Sequence, residues 1–528
     1  MKIGKQQQGF VMTTLLGMLL VFIIIMGIAA TVIDSNFFVV NRNAQSQQAF
    51  NIAEAGINYY LWHLSHSPTD YKDGKSTPAS PDATLGYGPY EHDYYDANNV
   101  KRGTYTLWIK PQSSGSSVVT VRSIGKDAKS GALRTIEAKV GAPSFSDYAV
   151  LSDTALWFGN TETATGPVHS NQGVRMDGSS TSDVTSANST YVPSYQLGGD
   201  GSSHPGVWCN SSVTTPVNCN SRSKVDWRYP VPTVDFNQVS GDLCSMKKTA
   251  FLADSSTAPL AAQSTACTKT PTTRTAAYLP QRSSSGSYSL TRGYLIQLNA
   301  NNTYDLSYVN GENDQASSYS SALTLQSITS GVAIPSDGVI FAEDNVWVRS
   351  ATNSSFHGRV TIGAGRLASS SKNAEIVIAD DILYSTKNGE DAIGLVAENN
   401  VTLAPYAPPQ NGGFNFEVDA AVIAQNGSVI YPRTYRTSTN KCTKGWTSSN
   451  QNFTFYGSVS SRQSWTWTWL QGGGSCGNSS YVSGVGYVSG VYHNNTQYDN
   501  NLEYVPPPSF PTTSSFNILS WREVLTKP

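Results

Sequence analysis

The chain has 528 residues, too many for one compact core, and two or three domains are the expectation. Charged residues make up 14% of it, against about 25% in an average soluble domain, and polar uncharged residues fill the gap, which suits turn-rich β structure in a secreted protein better than a cytosolic enzyme. A net charge of -2 gives no electrostatic basis for a nucleic-acid partner.

Residues 10–33 carry no charge, and as a helix they would be about 36 Å long, enough to cross a hydrocarbon core with some tilt. Lys2 and Lys5 precede the run and Asp34 is the first charge after it, which puts the N-terminus in the cytoplasm and the bulk of the chain outside. A cleaved secretory signal is the competing reading, with Ala29-Ala30-Thr31 as its cleavage site, but its apolar region would be shorter, about 7–15 residues. The helical pattern also continues past the membrane edge. Ala49, Ile52, Ala53, Gly56, Tyr60 and Leu64 form one stripe, no proline interrupts residues 36–67, and Ser67-Pro68 is the stop. A continuous helix over 10–64 would be about 80 Å long, half in lipid and half in an external domain.

Gln6-Gln7-Gln8-Gly9-Phe10, followed at once by the apolar run, resembles a class III (prepilin) leader. The segment Gln48-Ala49-Phe50-Asn51-Ile52-Ala53-Glu54-Ala55-Gly56-Ile57 is similar to the "AF..AEAG" helix of PilX-type minor pilins. The likeness covers residues 1–65 and, more loosely, extends to 140. It implies a leader over 1–9 cut between Gly9 and Phe10 by a prepilin peptidase on the cytoplasmic side, a transmembrane and emergent helix over 10–67, and a pilin-like antiparallel sheet over 68–141. The partners it implies are the membrane before assembly and other pilin subunits afterwards. One residue departs from the pattern. Thr14 stands at the fifth mature position, where major pilins usually carry Glu, so either the subunit sits at a fibre tip with nothing above it or this family dispenses with the ion pair.

After a Pro/Gly/Asp/Tyr-rich loop over 68–101, alternation predicts strands at 103–110, 118–125 and 133–140, forming a meander against the Ala53/Ile57 stripe. Ala142-Pro143 reads as a boundary. The domain expected over 142–528 shows almost no helical period between 145 and 521, and 179–330 read as disulfide-stapled surface loops.

A repeat runs through residues 331–460. Its phrases centre on Ala342, Ala379, Ala397 and Ala424, each followed by an acid or amide and then Asp or Asn; Gly358-Arg359-Val360-Thr361-Ile362 reads as a further rung, as does Gly166-Pro167-Val168-His169-Ser170-Asn171. A small residue where the chain bends inward and a polar corner after it are what a parallel β-helix needs. The expected fold is therefore mainly β, with a long N-terminal α-helix and pilin-like α+β head followed by a parallel β-helix with inserted loops. Glu343/Asp344 and Asp380/Asp381 read as corner residues, with catalytic or calcium-binding carboxylates as the alternative. His169 beside Ser170 lacks a nucleophile-elbow pattern and reads as structural. Phrases around Trp157-Phe158-Gly159-Asn160 and Leu519-Ser520-Trp521 also resemble the C-terminal halves of large PilX-like proteins.

The six cysteines, Cys209, Cys219, Cys244, Cys267, Cys442 and Cys476, form no metal-ligand spacing. Disulfides suit the outside compartment, sequential pairing is the simplest of fifteen connectivities, and free buried thiols are the alternative. Trp465, Trp467 and Trp469 would share one face of a strand, either as an exposed platform for a glycan or protein or as a buried cap on the coil. No cofactor or metal is expected. The sequence therefore points to a non-enzymatic, minor pilin-like subunit of a type IV pilus-like surface fibre that displays a β-helical domain for adhesion or surface contact. The alternatives are a membrane-anchored adhesin without a fibre and a β-helix enzyme acting on surface polysaccharide.

Overall fold

The computed structural model describes residues 7–67, 70–75, 81–111, 118–141, 143–160, 162–210, 226–252, 266–268, 271–282, 289–368, 373–407, 414–438, 441–471, 476–477, 479–483, 485–513 and 517–525. The chain divides into two compact units, one made of residues 1–111, 119–141 and 516–528, the other of residues 112–118 and 142–515.

In the first unit a single helix, α1 (Gln7–His66), leaves its N-terminal half bare and packs its C-terminal half on a five-stranded antiparallel sheet. The strands are Tyr87–Tyr95, Lys101–Pro111, Val118–Asp127, Leu133–Gly141 and Asn517–Val524, in that spatial order. Ile52, Ala53, Ile57, Tyr60 and Leu64 meet Tyr90, Leu107, Ile109, Val121, Ile136, Ala138 and Val140 in one core. The period of 3.6 on the helix and of 2 on the strands makes this possible, because each element offers one apolar face to the other.

Two strands lie where the sequence did not place them. Tyr87–Tyr95 falls in the expected loop; its Gly88-Pro89 and its acids hide an alternation in which Pro89, Glu91 and Asp93 turn out of the core and Tyr90 turns in. The last strand, Asn517–Val524, pairs with Leu133–Gly141, so the chain's end belongs to the first sheet and not to the region 142–515. The second unit is thus an insertion between two neighbouring strands. Gly141 stands opposite Asn517, and within the second unit the entering and leaving chains are zipped by Phe145 N to Pro511 O (3.0 Å) and Thr513 N to Pro143 O (2.6 Å).

In the second unit, successive strands alternate between two parallel stacks. The first stack runs Tyr278–Leu279, Val339–Ala342, Arg359–Ala364, Ala392–Ala397, Phe414–Ala424, Gln451–Ser461, Val150–Ser152, Val168–Ser170, Val184–Ser186 and Trp227–Arg228. The second runs Gly293–Asn299, Asn345–Ser350, Ile376–Ile378, Val401–Leu403, Val429–Ile430 and Trp465–Thr466. A short third stack holds Leu156–Phe158, Val174–Met176 and Val207–Trp208. The order is shuffled: the first strand after the neck, Val150–Ser152, docks on the late strand Gln451–Ser461.

The chain between Trp227–Arg228 and Tyr278–Leu279, at opposite ends of the first stack, contains a helix, α2 (Gln238–Leu252). Val239, Leu243, Met246 and Ala250 bury one α2 face against Val339, Phe341, Val396 and Ile423. The reading of 179–330 as loops without helical period therefore fails here. The apolar stripe is regular, but Ser240, Gly241, Lys247 and Lys248 dilute it.

Register explains the alanine repeat. Ala342, Ala364, Ala397 and Ala424 stand opposite one another, and the column continues through Ser461, Ser152, Ser170 and Ser186. Ala379 is not part of it; it follows Ile376–Ile378 in the second stack, its N–H bonded to Val348 O (2.9 Å), and Ala364 holds the expected place. The serines stitch their own corners. Ser170 Oγ donates to Thr154 O (2.8 Å) and accepts from Gln172 N and Gly173 N, and Ser186 Oγ donates to Gln172 O (3.0 Å).

Candidate functional site

The largest bare apolar surface is the first half of α1. Leu19, Ile24 and Phe37 are 55%, 53% and 64% exposed, whereas Ile52 and Tyr60 are fully buried on the same helix. Among the described residues this is the one helix long and apolar enough to cross a membrane, by length and composition. Gly9 and Phe10 lie in its first turns. No proline or glycine cluster divides the bare half from the packed half, so a single rigid element runs through both.

Close helix seating is achieved through two glycines. A Cβ on Gly125 would strike the α1 backbone at Ala49 O and Ala53 N, and one on Gly56 would strike Ser123 Oγ and, at 2.9 Å, the Tyr105 ring.

The cysteines Cys244 and Cys267 are joined, with Cα atoms 5.3 Å apart, and so are Cys442 and Cys476 at the same separation. Cys209 is disulfide-bonded, while Cys219, its expected partner, lies outside the described residues. The three tryptophans do not share a strand face. Trp465 belongs to the second parallel stack, while Thr468–Gln471, which contains Trp469, pairs antiparallel with Gly486–Val491. Trp467, between them, is buried with its ring 5.2 Å from Phe453 and 5.5 Å from Phe455. Trp465 is half-buried against Phe158, and Trp469 donates its Nε1–H to Tyr431 O (2.7 Å). The expected platform is dismantled because the chain turns at Trp467 and leaves one sheet for another.

The paired acids hold corners. Asp344 accepts from Arg282 N and Asn345 N, and Asp381 Oδ1 accepts from Glu417 N (2.8 Å). Glu398 Oε2 accepts from Arg366 N (2.7 Å) and Ala374 N. Asp380 lies 3.5 Å from Arg349. Glu343 is buried and paired with the equally buried Lys247 of α2; burial pushes its carboxyl above the usual range. His169 is buried between Thr185 Oγ1 (2.9 Å) and Asn171 Oδ1 (3.0 Å), and burial lowers its pKa, so it sits neutral beside a serine already committed to a corner.

Two buried charge centres had no sequence signal. Lys247 is indistinguishable in sequence from its neighbour Lys248. Arg436, in the loop after Val429–Ile430, lies 3.1 Å from Glu375 and 3.7 Å from Glu312, and donates to Thr402 Oγ1 (2.9 Å) and Leu290 O (3.1 Å).

Asp147 at the neck, half-buried, is a third charged group without a sequence signal. Its carboxylate accepts from Ser144 N (3.0 Å), but burial raises its pKa from 3.8 to about 7. A raised folded-state value means that its stabilising contribution is complete below the unfolded pKa and is lost as pH rises from about 4 through 7. Asp242, Asp381 and Asp419, each raised to about 6 by burial, add to the same slope. The second unit is expected to melt at a higher temperature at pH 5 than at pH 8. Asp147→Asn keeps the acceptor and removes the charge, so it should flatten this slope and stabilise the protein at pH 8 by of the order of 3 kcal/mol. Melting curves across that pH range check it; an unchanged slope contradicts it.

No protein-family model matches the chain, and no curated protein does. Solved structures do include a match, the crystal structure of the competence-associated pilin ComZ from Thermus thermophilus, at 14% identity over 92% of this chain and 98% of that one, with a TM-score of 0.27. A superposition that poor leaves the reading to rest on this chain's own helix and sheets.

Proposed function

We propose that the chain is a minor pilin-like subunit of a type IV pilus-like surface fibre, and that its second unit is a parallel β-helix displayed for adhesion or surface contact. The observation that carries this reading is the two-faced helix α1: apolar and bare over its first half, seated on an antiparallel sheet over its second. A bare apolar rod needs lipid or sister subunits around it, and the prepilin-like leader before it supplies the route from one to the other. The alternation of strands between two parallel stacks supports the β-helix. Its corner acids are spent on backbone N–H groups and buried cations, which favours display over chemistry. The partners we propose are prepilin peptidase and the membrane first, then other pilin subunits, with a surface glycan or protein as the target.

N-terminal sequencing of the mature protein tests this. A start at Phe10 is the expected result. A start near Ser35 would sink the proposal, because the stem would be gone. A full-length product in cells with active prepilin peptidase would favour a membrane-anchored adhesin without a fibre.

A further inference from the structure

Lys247 is the one buried lysine among the described residues, and its Nζ meets Glu343 Oε1, just after Val339–Ala342, with the two side chains 0% and 1% exposed. A buried ion pair is sustained when further hydrogen bonds serve the atoms it leaves over. The carboxylates around Arg436 meet that condition, since Glu312 Oε1 accepts from Trp347 and Tyr406, and Glu375 Oε1 from Asn399 and Asn400. Glu343 does not. Neither of its oxygens accepts a hydrogen bond, and among the described residues it is the one buried carboxylate left so on both. The Tyr278 hydroxyl lies beside it but donates to Pro271 O (3.3 Å). The backbones that carry the pair are fixed. Leu243, Met246 and Ala250 seat α2, Cys244 is tied to Cys267, and Cys267 O accepts from Lys247 Nζ (3.3 Å). Glu343 N donates to Leu279 O (2.9 Å) in the first stack.

We propose that the folded chain joins Lys247 Nζ to the side-chain carboxyl carbon of Glu343 in an amide cross-link. The ammonium first gives one proton to the carboxylate, leaving an amine beside a carboxylic acid, the pair that a dry site prefers to two charges. The raised pKa of Glu343 points the same way. The amine lone pair then bonds to the carboxyl carbon, and the Tyr278 hydroxyl, turned from Pro271, donates to the oxygen on which negative charge develops. The C–OH bond breaks, and the hydroxyl leaves as water with one of the amine's protons. Ammonium and carboxylate thus become amide and water, without oxidant, reductant or co-reactant. Fixed contact between the two groups takes the place of a bimolecular encounter. The product removes both charges: its N–H keeps Cys267 O, and its one oxygen is served by Tyr278. The link fastens α2 to the first stack by a bond that reductants leave intact, close to a disulfide that they open. It does not depend on the pilin reading.

Mass spectrometry of the purified whole protein, reduced and denatured, tests it. The expected chain is lighter by one water than its sequence counted from the N-terminus that sequencing finds, and a protease digest contains one branched peptide joining Lys247 to Glu343. Lys247→Met and Glu343→Ala should each restore the full mass, while Lys248→Met, at the half-buried neighbour, should keep the deficit. The wild-type branched peptide decides the matter even where a variant folds poorly. A wild-type chain of full mass, a deficit without that peptide, a deficit that survives Lys247→Met, or its loss in a folded Lys248→Met protein would each overturn the proposal.

Discussion

Arg436→Ala is expected to destabilise the second unit by about 3–5 kcal/mol, the usual consequence of removing one member of a buried charge cluster. The Arg436 side chain is 10% exposed and its guanidinium reaches across the second stack to Glu375, Glu312, Thr402 Oγ1 and Leu290 O, while the backbone N–H groups of Arg436 and Thr437 both donate to Asp314. Glu312 also accepts from Trp347 Nε1 (2.9 Å) and Tyr406 Oη (3.0 Å), and Glu375 from Asn399 and Asn400 Nδ2 (2.8 and 2.7 Å). These neutral donors fix the carboxylates but do not balance them. Without the cation, three buried acids face one another in a low-dielectric setting and must either take up protons or draw in water. Arg436→Lys should recover only part of the loss, because a point charge cannot bridge two carboxylates and two further acceptors at once. Urea unfolding of the three proteins at pH 7 measures both effects. A loss below about 1 kcal/mol for Arg436→Ala would place the cluster among ordinary surface pairs and contradict the argument.

Legibility in the sequence follows the range of the interaction. The emergent half of α1 could be read residue by residue, since Ala49, Ile52, Ala53, Gly56, Tyr60 and Leu64 obey a period set by their own backbone, and all six are buried. The strands near 103–110, 118–125 and 133–140 were equally visible, as alternation is also local. The alanine column was half visible. A parallel stack brings together residues separated by loops of any length, so a phrase such as Ile378-Ala379-Asp380-Asp381 can imitate a rung of the first stack while lying in the second. Nothing local reports that Val150–Ser152 docks on Gln451–Ser461, or that the chain's last strand returns to Leu133–Gly141.

The candidate site shows the same division. The bare apolar stem was plain from composition, and the binding of backbone N–H groups by acids was signalled where an acid follows the alanine column, at Glu343-Asp344 and Glu398, but not at Asp380-Asp381, which follow a strand of the second stack. The tryptophan platform was not legible. Spacing by two implies a shared face only while one strand continues, and this chain changes sheets at Trp467. Lys247 and Arg436 were invisible for a related reason, since the carboxylates they meet lie 96 and 61 or more residues away in sequence, at Glu343 and at Glu375 and Glu312.

The seating of α1 yields the second large effect. Gly125→Ala places a methyl against the helix backbone at Ala49 and Ala53, where no side chain can move aside, so helix and sheet must separate. A loss of about 3 kcal/mol is expected for the first unit, the upper end of the usual cost of overpacking. Gly56→Ala meets Ser123 Oγ and the Tyr105 ring instead, and those neighbours are side chains. Ser123 Oγ is buried and makes no hydrogen bond, so Ser123→Ala should be nearly neutral by itself and should restore part of the stability lost in Gly56→Ala. The same serine change should do nothing for Gly125→Ala. This contrast, read from thermal unfolding of the five variants and the parent, separates backbone contact from side-chain contact. If Ser123→Ala rescued both glycine variants equally, or neither, the close approach of α1 to the sheet would not be what holds the stem to its head.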